Sequence, residues 1–250
     1  MEALRILAVI PSRMASVRLP GKPLLMLATR PVVQWVHDAA AASGVFQDVV
    51  VATDDDRILD AVTAFGGSCV LTDPALATGS ERVAAAAAAS PQAYDVVVNV
   101  QGDQPFVQAA DLAALVAPYA AGLTPDMTTL AAVLDPALVD DPGSVKVVTD
   151  LSGHALYFSR SRIPASVATT GDPGVAPRHH LGLYGFRADF LPVFARLTPG
   201  PLELTEQLEQ LRALEHGHRI MVREVPVAPI EINTPEDYRR AVSYAEGLSA

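Results

Sequence analysis

Apolar and polar positions divide this chain into two stretches with different rhythms. Up to about residue 105, continuous apolar runs alternate with longer amphipathic or alanine-rich segments. "RILAVI" (5–10), "DVVVAT" (48–53) and "DVVVNV" (95–100) lack the in–out alternation of a half-exposed strand. They read as parallel strands covered on both faces, with "GGSCVLT" (66–72) as a shorter one. Between them lie predicted helices: "PVVQWVHDAAAAS" with Pro31 in its first turn, a segment running to Phe65, and "TGSERVAAAAAAS" capped by Ser80. The cap of the segment ending at Phe65 is Asp54, Asp55 or Asp56. This β-α-β order predicts an α/β fold with a doubly wound, mostly parallel sheet and ligands at the strands' carboxyl ends.

Beyond about residue 125 the rhythm changes. "MTTLAAVL", "SVKVVTD", "HALYFSR" and "HLGLYGFR" are strand-like pieces in succession with no long helix between them, and a Gly/Pro-rich loop interrupts them near 165–177. They predict an antiparallel or mixed-strand extension at about 125–200. Helices resume at 203–216 and 235–247, with a strand at "HRIMVREV" between them. No repeat or linker appears, so the expectation is one domain over 1–250 carrying an extension.

Composition narrows the function. The chain has 250 residues, is 50% hydrophobic and carries a net charge of -10, which disfavours a nucleic-acid partner. The lone Cys69 excludes an internal disulfide framework and fits a reducing compartment. The first apolar run is too short for a signal sequence, and no run reaches the ~20 apolar residues of a membrane span. The reading is a soluble, cytoplasmic protein without membrane insertion.

Against that acidity, "IPSRMASVRLPGKPL" (10–24) gathers Arg13, Arg18 and Lys22 directly after the first strand. No acidic residue lies between Glu2 and Asp38. Gly21-Lys22 is followed by Pro23, so this is no Walker loop, and a single glycine there makes no Rossmann fingerprint. What remains is a strand-to-helix loop whose cations suit phosphate oxygens. The chain holds 16 arginines but only two lysines, Lys22 and Lys146, so a lysine at 22 points to a need for a compact charge. A solvated loop with scattered charges is the bland alternative. Asp103, just past the fourth strand, has a carboxylate suited to Mg²⁺ or, more plainly, a turn that caps a helix.

In order along the chain, "IPSRMASVRLPGKPL", "VATDDDRI", "TGSERVA", "VNVQGDQPF", "VKVV", "ALYFSRSRIP", "HLGLYGFR", "PLE", "LEQLRALE" and "NTPEDY" resemble bacterial 3-deoxy-manno-octulosonate (Kdo) cytidylyltransferases, also called CMP-Kdo synthetases. The resemblance covers roughly residues 5–240. Its opening loop is shared with other sugar nucleotidylyltransferases, whereas "NVQGD", "ALYFSR", "HLGLYGFR" and "LEQLR" together mark the Kdo branch. It implies a fold like that of nucleotide-diphospho-sugar transferases. The implied reaction moves CMP from CTP to the anomeric hydroxyl of a 2-ulosonic acid, with Mg²⁺ as cofactor and pyrophosphate as product. The product would be CMP-Kdo for lipopolysaccharide or capsule, and the family's habit is a homodimer.

By the same resemblance Lys22, Arg13 and Asp103 are catalytic. CTP is held by Arg13, Ser16, Arg18, Lys22, Gly79, Ser80, Arg82 and Gln101. The sugar acid meets Arg160, His180, Tyr184, Glu209 and Gln210, and the metal meets Asp103 and Asn233. Two positions depart from the family. Gln104 stands where "QGDEP" has Glu, and Asn233 stands where "DTPED" has its first Asp. Glu231, two residues earlier, is placed to substitute for that aspartate. The alternatives are a cytidylyltransferase for 8-amino-Kdo or a sialic-acid-like substrate, and a nucleotide-binding paralogue without turnover.

Overall fold

The computed structural model describes residues 4–15, 19–165 and 176–249. The expected site residues Ser16 and Arg18, and most of the Gly/Pro-rich loop, lie outside the described residues. The chain forms two compact units, Met1–Ala113 with Pro229–Ala250, and Ala114–Ala228.

The first unit opens with β1 (Ile6–Ser12), whose Ile6 to Ile10 are all buried, as a strand covered on both faces must be. A two-residue hairpin follows, β2 (Met26–Leu27) and β3 (Arg30–Pro31), with Ala28 left-handed at φ 52° in its turn. Then come α1 (Val32–Ala42), β4 (Asp48–Thr53), α2 (Asp56–Ala64), β5 (Ser68–Leu71), α3 (Gly79–Ala89) and β6 (Val96–Asn99). Val9 pairs with both Val50 and Asn99, and Val51 with Cys69, so the order is β6-β1-β4-β5, all parallel. The carboxyl ends of β1 and β6 therefore lie side by side. Of the three candidate aspartates, Asp55 caps α2 by accepting from Arg57 N at 3.0 Å.

The expected Ser80 cap is corrected. Thr78 caps α3, its hydroxyl accepting from Glu81 N (3.1 Å) while the Glu81 carboxylate accepts from Thr78 N (3.3 Å). This capping box satisfies two donors that a helix start otherwise leaves unmatched, which Ser80 inside the first turn cannot do.

The chain passes between the units within α4 (Ala109–Ala120), a helix the sequence reading missed. The second unit holds β7 (Met127–Val133), β8 (Lys146–Thr149), β9 (Ala155–Ser159), β10 (Arg178–Arg187), α5 (Leu191–Phe194), α6 (Pro201–Glu206), α7 (Leu211–Glu215) and β11 (Ile220–Val225). Strand β10 runs antiparallel to β7 and β8, β8 antiparallel to β9, and β11 parallel to β7, the mixed arrangement expected.

The helix expected over 203–216 is broken in two. Gln207 is left-handed at φ 54°, and Arg160 takes the carbonyls of Glu206 (2.8 Å) and Gln207 (3.2 Å) that a continuing helix would use. Tertiary hydrogen bonds thus override a helical pattern.

Back in the first unit, α8 (Pro235–Ser249) starts at "NTPED" because Asp237 accepts from Thr234 N (2.8 Å) and Asn233 N (3.1 Å). Its Ala241 and Ala245, with Ile232, pack on Leu27, Val32, Trp35 and Phe106.

Candidate active site

A cleft of about 330 Å³ opens at the carboxyl ends of β1 and β6 in the first unit. Six expected residues line it: Arg13, Lys22, Gly79, Arg82, Gln101 and Asp103. Parallel topology explains the gathering, because residues just past adjacent strands meet at one edge of the sheet. Ser80 is not among the lining residues; it is buried in the first turn of α3.

Lys22 follows Gly21, whose φ of 70° is a left-handed turn that glycine adopts without strain. The turn aims the ammonium at Asp103 Oδ2 (2.9 Å) and the carbonyl of Ile232 (2.8 Å). The pair is largely shielded, with side-chain exposures of 16% and 24%, so solvent screens it less than a surface pair. Arg13 is exposed and reaches the carbonyl of Ala77 at 3.4 Å.

Arg82 is otherwise engaged: its guanidinium donates to Asp54 at 2.8 Å and to the Thr72 hydroxyl. It lines the cleft as a braced wall. Gly102 was not foreseen. A Cβ there would lie 2.9 Å from the carbonyl of Pro11, so only glycine lets the turn after β6 approach β1. Thr78 and Ser12 also line the cleft unforeseen. The Thr-x-x-Glu spacing at 78–81 is a signal that identifies the former.

Behind Asp103, Ile232 N donates to the Asp103 carbonyl (2.9 Å), joining the turn after β6 to the start of α8. Glu231 accepts from Gln104 Nε2 at 2.8 Å and from Asn233 Nδ2 at 3.1 Å. Burial and the charge of Asp103 hold the Glu231 carboxyl well above the usual carboxylate range, against those two amides and Lys22. An added cation would relieve that repulsion.

The second unit holds the residues expected at the sugar. His180 is buried on β10, its Nε2 3.0 Å from the Thr129 hydroxyl and its ring 4.8 Å from Phe158 and 5.6 Å from Tyr184. Burial, and then the neighbouring His179, lower its pKa to about 3, so it is a neutral imidazole at pH 7. Glu209 and Gln210 sit in the break between α6 and α7, with Glu209 4.0 Å from Arg212. Arg160 is spent on backbone, donating to the carbonyls of Pro142, Glu206 and Gln207.

A cytidylyltransferase family model matches residues 7–220. A 3-deoxy-manno-octulosonate cytidylyltransferase of Synechococcus elongatus is 52% identical over 242 residues, covering 96% of this chain and 98% of its own. One from Acaryochloris marina is 54% identical, over 95% of this chain and 96% of its own. Among solved structures, a CMP:2-keto-3-deoxy-manno-octonic acid synthetase complexed with CTP aligns with a TM-score of 0.90 and 32% identity. That alignment covers 98% of this chain and 99% of the synthetase. A 4-diphosphocytidyl-2C-methyl-D-erythritol synthase from Anaerococcus prevotii, at 13% identity and TM-score 0.62, shares the fold.

Proposed function

The chain belongs to the 3-deoxy-manno-octulosonate cytidylyltransferase family, and we propose on that footing that it transfers CMP from CTP to the anomeric hydroxyl of Kdo. The hydroxyl oxygen bonds to the α-phosphorus as the bond to the β-phosphate oxygen breaks. Pyrophosphate leaves, and the hydroxyl gives up its proton. One observation carries the reading: the cleft's edge, where Lys22 is fixed between Asp103 and the Ile232 carbonyl beside Arg13 and Gly102.

Phosphoryl transfer asks a protein chiefly for positioning and charge neutralisation. Lys22 and Arg13, with Arg18 and Ser16, hold the triphosphate and stabilise charge building on the departing pyrophosphate. Gly79, Arg82 and Gln101 form the nucleoside end, where α3 begins; Ser80, buried in the first turn of that helix, does not line it. His180, Tyr184, Glu209 and Gln210 recognise the sugar acid, while Arg160, its guanidinium on three backbone carbonyls, braces the segment before Glu209 and Gln210. A buried neutral imidazole and a carboxylate offer that polyhydroxy acid both donors and acceptors.

Mg²⁺ is the cofactor this site suits. Hard oxygens from Asp103 and the Glu231–Asn233 segment would hold it, and the buried Gln104 Oε1 has no hydrogen-bond partner among the described residues. Among the described residues no group of three or more His, Cys, Asp or Glu is placed to hold a metal. Triphosphate oxygens and water would then supply the remaining ligands, as is usual for Mg²⁺. When bound, the ion neutralises phosphate charge. No helix among the described residues is long and apolar enough to cross a membrane. The enzyme works in the cytoplasm, supplying CMP-Kdo to lipopolysaccharide or capsule synthesis. Val133, Leu156 and Val227, apolar and exposed on the second unit, support a homodimer.

The test is pyrophosphate release from CTP and Mg²⁺ with Kdo, 8-amino-Kdo or sialic acid. Release with Kdo is expected. Release only with another acid reassigns the acceptor, and release with none overturns the enzyme reading.

A further inference from the structure

Gln104 is 1% exposed, yet among the described residues its side chain makes a single hydrogen bond, from Nε2 to Glu231 Oε1 at 2.8 Å. Its Oε1 is buried and has no hydrogen-bond partner among the described residues. An acceptor left unmatched in the interior opposes folding, so such a group points to something absent from the folded chain alone. Asn233 Nδ2 holds the other oxygen of the same carboxylate at 3.1 Å. Glu231 is thus gripped at both oxygens by neutral amides, and it forms no ion pair among the described residues.

Its position is fixed against Asp103 as well. Ile232, the next residue, donates its N–H to the Asp103 carbonyl (2.9 Å) and offers its own carbonyl to Lys22, which also binds Asp103 Oδ2. Two carboxylates are therefore tied together through one backbone contact and one ammonium. Structural carboxylates at such depth are usually neutralised by a cationic side chain. A carboxylate oriented on both oxygens by neutral donors is instead the arrangement found around metal ligands, whose partners fix direction and leave charge for the ion.

We infer that Glu231 is the second acidic ligand, with Asp103, of the divalent cation that accompanies the nucleotide, and that Gln104 and Asn233 are its positioning residues. The inference rests on the cytidylyl-transfer reading and assigns one of its parts. The orphaned Gln104 Oε1 then finds its donor in a water of the ion's shell, since Mg²⁺ retains several. Asn233, expected at the metal, acts through Glu231 and through its backbone N–H, which Asp237 accepts at 3.1 Å to start α8.

Mn²⁺ is the probe, titrated into the full-length protein at fixed CTP with free Mn²⁺ read by electron paramagnetic resonance. A protein-free CTP titration is subtracted. Glu231→Gln is expected to weaken Mn²⁺ binding by roughly 10²-fold, and Gln104→Leu or Asn233→Ala by about tenfold. Glu231→Asp, which keeps the charge on a shorter arm, should fall between, and it decides the question should Glu231→Gln not fold. Wild-type Mn²⁺ affinity in a folded Glu231→Gln or in Glu231→Asp overturns the assignment. A larger loss in Asn233→Ala than in Glu231→Gln makes Asn233 the ligand and overturns it equally. Pyrophosphate release by the wild type is measured in parallel, so failure of the whole reaction is distinguished from failure of this ligand.

Discussion

The two lysines of this chain occupy opposite kinds of site. Lys22 stands at the edge of the cleft, bonded to a carboxylate and one carbonyl, with side-chain exposure of 16%. Lys146 in the second unit is fully buried and gives its ammonium to the carbonyls of Asp141 and Arg160, each at 2.7 Å. Burial lowers the pKa of Lys146, and the charges of Asp141, Asp140 and Glu206 offset that only in part. In a chain that otherwise uses arginine, each site places a point charge between oxygens, Lys22 between a carboxylate and a carbonyl and Lys146 between two carbonyls. Rarity of a residue type therefore marks a constraint without saying whether it is chemical or architectural.

The sharpest way to break this pairing is to remove each ammonium. Lys22→Ala should lower the rate of pyrophosphate release by roughly 10²–10³, about 3–4 kcal/mol, the range for one preorganised charge-stabilising donor. Its melting temperature should drop by no more than about 4 °C. Near-normal turnover would remove Lys22 from the chemistry.

Lys146→Met should do the reverse. Two buried carbonyls lose their donor, at roughly 1–3 kcal/mol each, so thermal unfolding should come about 5–15 °C earlier. Turnover per folded molecule should hold at temperatures well below that transition. A Lys146→Met protein as stable as wild type would show that those carbonyls are satisfied otherwise.

The smallest effect concerns His180, another buried titratable group of the second unit. Its pKa is about 3 in the fold, against about 6.5 in an unfolded chain. Between those values the unfolded state binds a proton that the native state does not. Stability therefore falls as pH is lowered, approaching ~1.4 kcal/mol per pH unit. Urea unfolding at pH 7.5 and 5.0 should differ by about 2 kcal/mol on this account, with half-buried His179, also shifted down, adding in the same direction. His180→Asn should flatten the difference. An unchanged pH dependence in that variant would place the titration elsewhere.

The parallel half was legible because its strands are covered on both faces, so their apolar runs are continuous. Helix α4 was not read, although Leu112, Leu115, Val116 and Tyr119, all buried, recur at i, i+3, i+4 and i+7 as one helical stripe. Pro118 inside it and the alanines on its other faces blur that pattern in the sequence. The break at Gln207 was invisible because Arg160, far off in sequence, causes it. Cleft-lining residues such as Arg13, Lys22, Gln101 and Asp103 could be found from position alone, as they follow parallel strands. His180, Glu209 and Gln210 could be named only by resemblance, since nothing in their local pattern distinguishes a ligand contact from an ordinary core or surface group. The hold of Gln104 on Glu231 needed coordinates, because 127 residues separate the two, whereas Asn233 lies two residues from its partner.

That span also sets an order of assembly. A growing chain makes the four parallel strands and the basic loop early, before Glu231 or α8 exists. Until α8 arrives, the face formed by Leu27, Val32, Trp35 and Phe106 has nothing from Ile232, Ala241 or Ala245 to cover it. Nascent protein therefore shows a bare apolar surface through most of translation, the state in which chains are open to aggregation and to chaperones. The segment that shields this surface also carries Glu231 and the carbonyl that Lys22 grasps. Protection from misassembly and completion of the cleft arrive in one step, so a prematurely ended chain is left both sticky and inert.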